Sequence, residues 1–398
     1  MMTSKRWSMV CAATMLLFVP GVARAQATYV WDAPGRWKPW TIQVDNAPYG
    51  PLRFTAAQVR ALEAQMLGLN AILRAAPGVA IPVGYSAATS GWVTATAMAR
   101  GQPNPRMVPL PSSMMFGAFG ITEFTRRGAT VRDDGGETAH LIFRINTMPK
   151  GDAVPDLIDL ESDVMLEPSL GTAVNGMPRH GDQLVLHRKA GPLFTPVTRA
   201  EAMQLTVQAI ERRVSGRRAV LATLTQALAD WRTPQKQSQR MADYRQSAAL
   251  AKNPGIVATM TAFERTHDTQ LAALAGPDGD AARDVTVAEQ ALTAATATLA
   301  AIPQAERVAA SCFRSEPGAI WASVTHIRQA PAPDCVPIVR PNWALYDAAL
   351  PRTVPQLLVI DRVAGCLDYP LPKVPGNCAA NKALLESLNV AAVRAWLR

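Results

Sequence analysis

A chain of 398 residues, 48% hydrophobic and 18% charged, is long enough for two or three domains and too apolar for a disordered chain. Its formal charge is +9, spread along the sequence and accompanied by no recognisable nucleic-acid-binding module. That argues against a nucleic-acid partner and suits an anionic envelope surface.

The first residues read as a secretion signal. Lys5 and Arg6 form a basic start, Met9 to Val19 an apolar stretch, and Ala23-Arg24-Ala25 a small-x-small cleavage site. The apolar stretch is too short to span a bilayer well, and no later segment is long and apolar enough to do so. Residues 1–25 are therefore expected to be removed, leaving a mature protein from Gln26, periplasmic or secreted, without a transmembrane segment. With Lys5, Arg6 and Arg24 gone, and no acid in that stretch, the net charge falls to +6.

The body is expected over residues 26–197. Trp31, Trp37 and Trp40 precede a strand at Thr41–Val44, and clustered tryptophans either pack a core or stack on sugars. Thr55 and Gln58 have capping-box spacing, and Val59, Leu62, Met66, Leu69 and Leu73 follow as a buried helical stripe. Signals then turn to β, in runs from Gly91 to Met98 and Met107 to Phe124. The strongest hairpin signal places a turn at Asp133-Asp134-Gly135-Gly136 between Thr130–Arg132 and Thr138–Met148. In the second of those strands Leu141, Phe143 and Ile145 share one face, and His140, Arg144 and Asn146 the other, polar one. Asn175-Gly176 marks another turn, and Leu184–His187 another strand. One helix on antiparallel strands is an α+β layer.

Residues 198–303 read as a long antiparallel, coiled-coil-like helical arm or bundle. Thr198 and Glu201 form a second capping box. Met203, Val207, Ile210, Val214, Leu221, Leu224, Leu228 and Trp231 then recur in steps of four and three, with Arg217 in a seam position. Pro234, with Thr233 as a cap, starts or kinks a helix. Asn253-Pro254 opens another, with Ile256, Met260, Phe263, His267, Leu271 and Leu274, closed by Gly276-Pro277. Asp280 or Asp284 caps the last, with Val285, Ala288, Leu292, Ala295, Leu299 and Ile302, and Pro303 stops it.

Residues 304–398 form a disulfide-bearing part packed on the body. It has strands at Ala319–Ile327, Pro337–Arg340 and Gln356–Val363, the last apolar on both faces, and a closing helix through Leu384, Leu388, Val393 and Leu397. Apart from Cys11 in the leader, the cysteines are Cys312, Cys335, Cys366 and Cys378. An even number in an exported chain reads as two disulfides, and local closure favours Cys312–Cys335 and Cys366–Cys378. No CxxC or histidine spacing points to a metal, and no cofactor is expected.

The chain has no HExxH, no phosphate-cradling loop and no dinucleotide fingerprint. Gly84-Tyr85-Ser86-Ala87-Ala88 begins like a nucleophile elbow but lacks the second glycine. Asp156, Asp159, Glu161, Asp163 and Glu167 form the one acidic run. On a helix Asp159, Asp163 and Glu167 would share a face, able to hold Ca²⁺ or perform acid–base chemistry, or simply be solvated. Arg212, Arg213, Arg217 and Arg218 read as solvated helix faces or an anionic contact. Of the histidines, His140 lies on the polar face of a strand, His180 and His187 flank one strand and are too far apart on it to share a metal, His326 is in a strand-like run, and His267 sits in a helical seam beside Asp268. The sequence thus points to an exported, non-catalytic protein whose arm serves assembly or partner binding, with catalytic residues unknown. The alternatives are a secreted hydrolase of envelope polymer or glycan, built on the acidic run and the tryptophans, and a ligand carrier.

Overall fold

The computed structural model describes residues 28–45, 54–94, 109–152, 154, 163–315, 323–367 and 376–397. The expected signal segment 1–25, Asp156, Asp159 and Glu161 lie outside them. The chain opens with β1 (Thr28–Tyr29), β2 (Thr41–Asp45), α1 (Ala56–Arg74), β3 (Tyr85–Thr94), β4 (Ser112–Arg126) and β5 (Ala129–Ile145). Next come β6 (Met165–Leu166), β7 (Leu170–Val174), β8 (Met177–His180), β9 (Gln183–His187) and β10 (Phe194–Pro196). Four helices follow, α2 (Arg199–Trp231), α3 (Pro234–Leu250), α4 (Gly255–Ala275) and α5 (Asp280–Ala300), with a short α6 (Gln304–Arg307). The last part holds β11 (Ser311–Phe313), β12 (Ile327–Gln329), β13 (Val336–Pro341), β14 (Leu357–Asp361), α7 (Ala364–Leu367), α8 (Gly376–Ser387) and α9 (Val390–Trp396).

The result is a mixed α+β protein with two sheets. The larger runs β2-β3-β4-β5-β14-β9-β8-β7, with β1 paired to β4. Its pairings are antiparallel except for β2 and β3, which run parallel because α1 crosses between them. The smaller sheet runs β10-β13-β11-β12, with β6 on β13.

Three cores follow from side-chain alternation. Leu62, Met66, Leu69 and Leu73 of α1, and Leu384, Leu385, Leu388 and Val393 from the end of the chain, cover Met114, Phe116, Leu141, Phe143 and Ile145 on one face of the large sheet. Thr55 starts α1 with both bonds of the capping box, as the spacing requires. On the opposite face Val185, Leu357 and Val359 meet Phe194, Val339, Leu345 and Tyr346. Strand β14 is apolar on both sides because Leu358 and Ile360 enter the first core while Leu357 and Val359 enter this second one. The third core joins the small sheet to the base of the helices.

Several local expectations shift. The β4–β5 hairpin turns at Arg127-Gly128, both at positive φ (53° and 81°), the conformation of a two-residue primed turn. The Asp133–Gly136 stretch lies inside β5. Asp133 pairs with Thr122 and Asp134 with Ile121, and the pairing slips near Phe119, so the two glycines sit at an irregularity of the ladder. Ala319–Ile327 is, where described, a 3-10 turn at Val324–His326 leading into β12. The closing helix is two helices, α9 starting afresh from the Asn389 cap. Asn146, read on the polar face, is buried. It is 2% exposed, has φ 56°, donates to Leu110 O and Val354 O, and accepts from Gln356 N at 2.7 Å.

Both expected cysteine pairs stand at disulfide distance, Cys312 with Cys335 (Cα–Cα 5.5 Å) and Cys366 with Cys378 (4.8 Å). The first ties β11 to the start of β13, and the second ties α7 to α8.

Candidate functional site

Helices α2 to α5 carry the four-three apolar stripe read from the sequence, interrupted at Arg217. Helix α2 packs most extensively on α5, then on α4, and α3 packs on α4. At ~1.5 Å per residue the 33 residues of α2 extend roughly 50 Å. Thr198 caps α2 by accepting from Glu201 N at 3.3 Å, but the reciprocal half of the box is replaced. The Glu201 carboxylate accepts from Arg340 of β13 and so fastens the helix start to the small sheet. At α4 the cap shifts by one residue: Asn253 Oδ1 accepts from Gly255 N at 3.0 Å, and Pro254 stands at the cap itself. Gly279 caps α5 without a side-chain bond, and Asp280 opens the first turn, paired with Arg283.

Burial changes along the seam. Met203, Val207, Ile210 and Val214 are buried, whereas Leu221, Leu224, Leu228 and Trp231 are only half-buried. Over the same distance the lining turns ionic. Arg217 pairs with Asp284 (2.5 Å) and Arg218 with Glu289 (2.6 Å), so two of the arginines read as solvated faces bridge α2 to α5. Where α2 gives way to α3, His267 of α4 places its ring edge-on to Trp231 (4.4 Å) and parallel to Phe263 (5.8 Å). Arg240 lies over the other side of this cluster, 3.8 Å from the Trp231 ring centre, and pairs with Glu264. Burial and the hydrogen bond to Glu264 push the Tyr244 phenol pKa up. Arg232 grips Asp268 through two bonds, and each holds the other in its charged form. Phe263 in this cluster is 55% exposed, and elsewhere on the helices Val220 is 56%, Val287 64% and Leu250 79% exposed.

The other sequence candidates separate in space. Ser86 lies in β3 with its hydroxyl donating to Asp134 Oδ1 at 2.8 Å, so its neighbour is a carboxylate and not a histidine. Gly84, at φ 82°, is required because a Cβ there would stand 2.4 Å from Trp31 O. Lys38 joins Asp134 at 3.1 Å, and Arg36 and Arg132 line the same shallow cavity of about 220 Å³. Burial alone would raise the Asp134 pKa, but the Ser86 and Lys38 contacts outweigh it and hold the carboxyl below its ordinary value of 3.8.

Of the acidic run, Asp163 accepts from Trp343 Nε1 at 3.2 Å and lies 3.7 Å from Arg340. The next residues form strand β6, so Asp163 and Glu167 do not share a helical face. Trp37 donates to Val79 O at 3.0 Å, and Trp37 and Trp40 pack against the first core. Trp31, stacked on Tyr29, stays 38% exposed beside a groove of about 260 Å³ lined also by Val83, Tyr85 and the alanines of α8. Burial raises the Tyr85 pKa to about 12. Among the described residues no group of three or more acidic, histidine or cysteine side chains is placed to hold a metal. Neither Lys38 nor Arg340 was signalled by a site motif, and Asp134 was read only as part of a turn. Their roles arise from strands distant in sequence.

His180 packs edge-on to Phe194 at 6.0 Å with its Nδ1 buried and unpartnered. Burial, then the nearby His187, depresses its pKa below the ordinary 6.5. The unfolded chain therefore takes up this proton first. The stabilisation from neutral His180 is fully present above pH 6.5 and lost as pH falls through the lower folded pKa. The urea midpoint is expected to drop from pH 7.5 to pH 5.5 in the wild type and to drop less in His180→Gln. Equal drops in both proteins would show that His180 is not the group responsible. Asp134 acts in a separate window, its stabilisation being lost only below its ordinary 3.8.

No family model, curated protein or solved structure matches this chain. Among the described residues no helix is long and apolar enough to cross a membrane. The two disulfides are compatible with an extracellular or periplasmic protein.

Proposed function

We propose that this is an exported, periplasmic or secreted protein that works by binding, with α2–α5 as a coiled-coil-like arm for self-association or for a protein partner. The observation carrying this reading is the change of burial along one seam. Up to Val214 the stripe is covered, and from Leu221 on the same four-three stripe is only half-covered, ending at the cluster that holds exposed Phe263. Apolar surface left in water is unfavourable by about 25 cal/mol per Å², and a surface of this kind, framed by ion pairs, fits an assembly face. Residues 198–303 supply the arm, and the α+β body with its disulfide-tied end supports it.

Leu224→Asp tests the reading, because it places a charge at the half-covered part of the seam and away from the buried base. Wild type is expected to sediment above monomer mass, or to hold a protein partner through the arm in crosslinking from its native envelope. The variant is expected to lose that association while its sheets stay folded by near-ultraviolet circular dichroism. A monomeric wild type without crosslinked partner, or a variant that associates as before, defeats the proposal.

A further inference from the structure

A further cavity among the described residues has no part in the arm. It measures about 630 Å³ and lies where β9 and β14 meet the turn after β13, lined by Arg188, Lys189, Tyr346, Asp347, Ala348 and Gln356. That volume is within the ~300–1,000 Å³ range of small-molecule sites. Most polar groups in its wall are already engaged. Gln356 donates to Asp347 O and accepts from Asp347 N (2.6 Å), Asp347 Oδ1 accepts from Ala349 N, and Lys189 Nζ donates to Ala344 O at 2.8 Å.

Two donors remain. Arg188 is exposed and has no ion-pair partner among the described residues. Tyr346 is 7% exposed, and its phenol oxygen is buried without a hydrogen-bond partner. An orphaned buried hydroxyl is unfavourable by about 1–3 kcal/mol and is uncommon enough to need a reason. Trp40, Ser112 and Asn381 also carry orphaned atoms, but of these residues only Tyr346 lines one of the cavities described here. Burial pushes the Tyr346 pKa up, so the phenol remains a proton donor at any physiological pH. Trp343 stacks against its ring at 6.2 Å and holds it in place. With Arg188 and Lys189 against Asp347, the cavity carries a net positive charge.

We infer that this cavity binds a small molecule through an oxyanion, carboxylate or phosphate, which pairs with the Arg188 guanidinium and accepts a hydrogen bond from the Tyr346 hydroxyl. Arginine's planar fork suits either anion, and the phenol adds a neutral donor from the apolar side.

Calorimetric titration of the full chain with acetate, benzoate and inorganic phosphate tests this, with Arg188→Gln and Tyr346→Phe beside the wild type. At least one probe is expected to bind saturably, and which one binds decides between carboxylate and phosphate. Arg188→Gln, on the surface, should lose about tenfold in affinity with unchanged thermal stability, the loss of one charge-assisted bond. Tyr346→Phe should bind more weakly too. If it stays folded and binds as the wild type does, the hydroxyl is only a core feature and the inference falls. Absence of binding by all three probes up to about 10 mM, or wild-type affinity in Arg188→Gln, overturns it as well.

Discussion

Excising residues 198–303 is expected to unfold the small sheet and not merely to shorten the molecule. Ala202, Met203, Val207 and Ile210 of α2, with Ala295 of α5 and Ile302 just after it, share one core with Val164, Phe313, Val324, Ile327 and Ile338. Met203 and Ala202 are fully buried there. The backbone continues the connection, since Val197 N donates to Ile338 O at 3.0 Å and Ser311 N to Val197 O at 2.9 Å. Each large apolar side chain removed from such a site destabilises by about 2–5 kcal/mol. Several lost together exceed the roughly 5–15 kcal/mol that holds a typical domain. A shorter excision between Arg218 and Glu289, closed by a flexible linker, spares this core and should leave both sheets folded. Hydrogen exchange at β11 and β13, with circular dichroism, separates the two outcomes. Full excision that leaves those strands protected would mean that the base of the helices is dispensable.

A single substitution with comparable reach is Asn146→Ala, expected to destabilise by about 3–5 kcal/mol. Asn146 sits at the end of β5 and bonds to three backbone groups, Leu110 O ahead of β4 and Val354 O and Gln356 N ahead of β14. Those bonds hold the segments that let β14 enter between β5 and β9. Alanine would leave the three groups unsatisfied in a buried place and would also keep the left-handed backbone, which asparagine tolerates better. Asn146→Gly relieves the backbone conformation alone, so its loss should fall between wild type and alanine. Urea unfolding of the three proteins measures this, and a loss below about 1 kcal/mol for alanine would contradict the assigned role.

What the sequence determined by itself was local. The Thr55–Gln58 box, the α1 stripe, the four-three seam before Val214, the Asn175-Gly176 turn and the short-range cysteine pairs each depend on residues close in the chain. Caps, helical faces and small covalent loops are set by such spacing. The two-sided apolar strand Leu357–Asp361 was readable for the same reason, but its place in the middle of the large sheet was not. Two flanking strands, β5 and β9, had to be brought together first. Tertiary structure also overrode turn composition. Asp133-Asp134-Gly135-Gly136 is a stronger turn signal than Arg127-Gly128, yet β4 continues to Arg126, where Glu123 meets Arg132 and Asp134 meets Ser86 and Lys38. The small sheet stayed hidden because its strands are two to six residues long and their pairings join residues from Met165 to Pro341. The cavity at Tyr346 has the same origin. Arg188 follows one strand and Tyr346 follows another, and only the packing of the two sheets puts the two residues in the same wall. Residues distant in sequence carry no spacing signal. Their partners are chosen by the long-range burial that assembles the sheets.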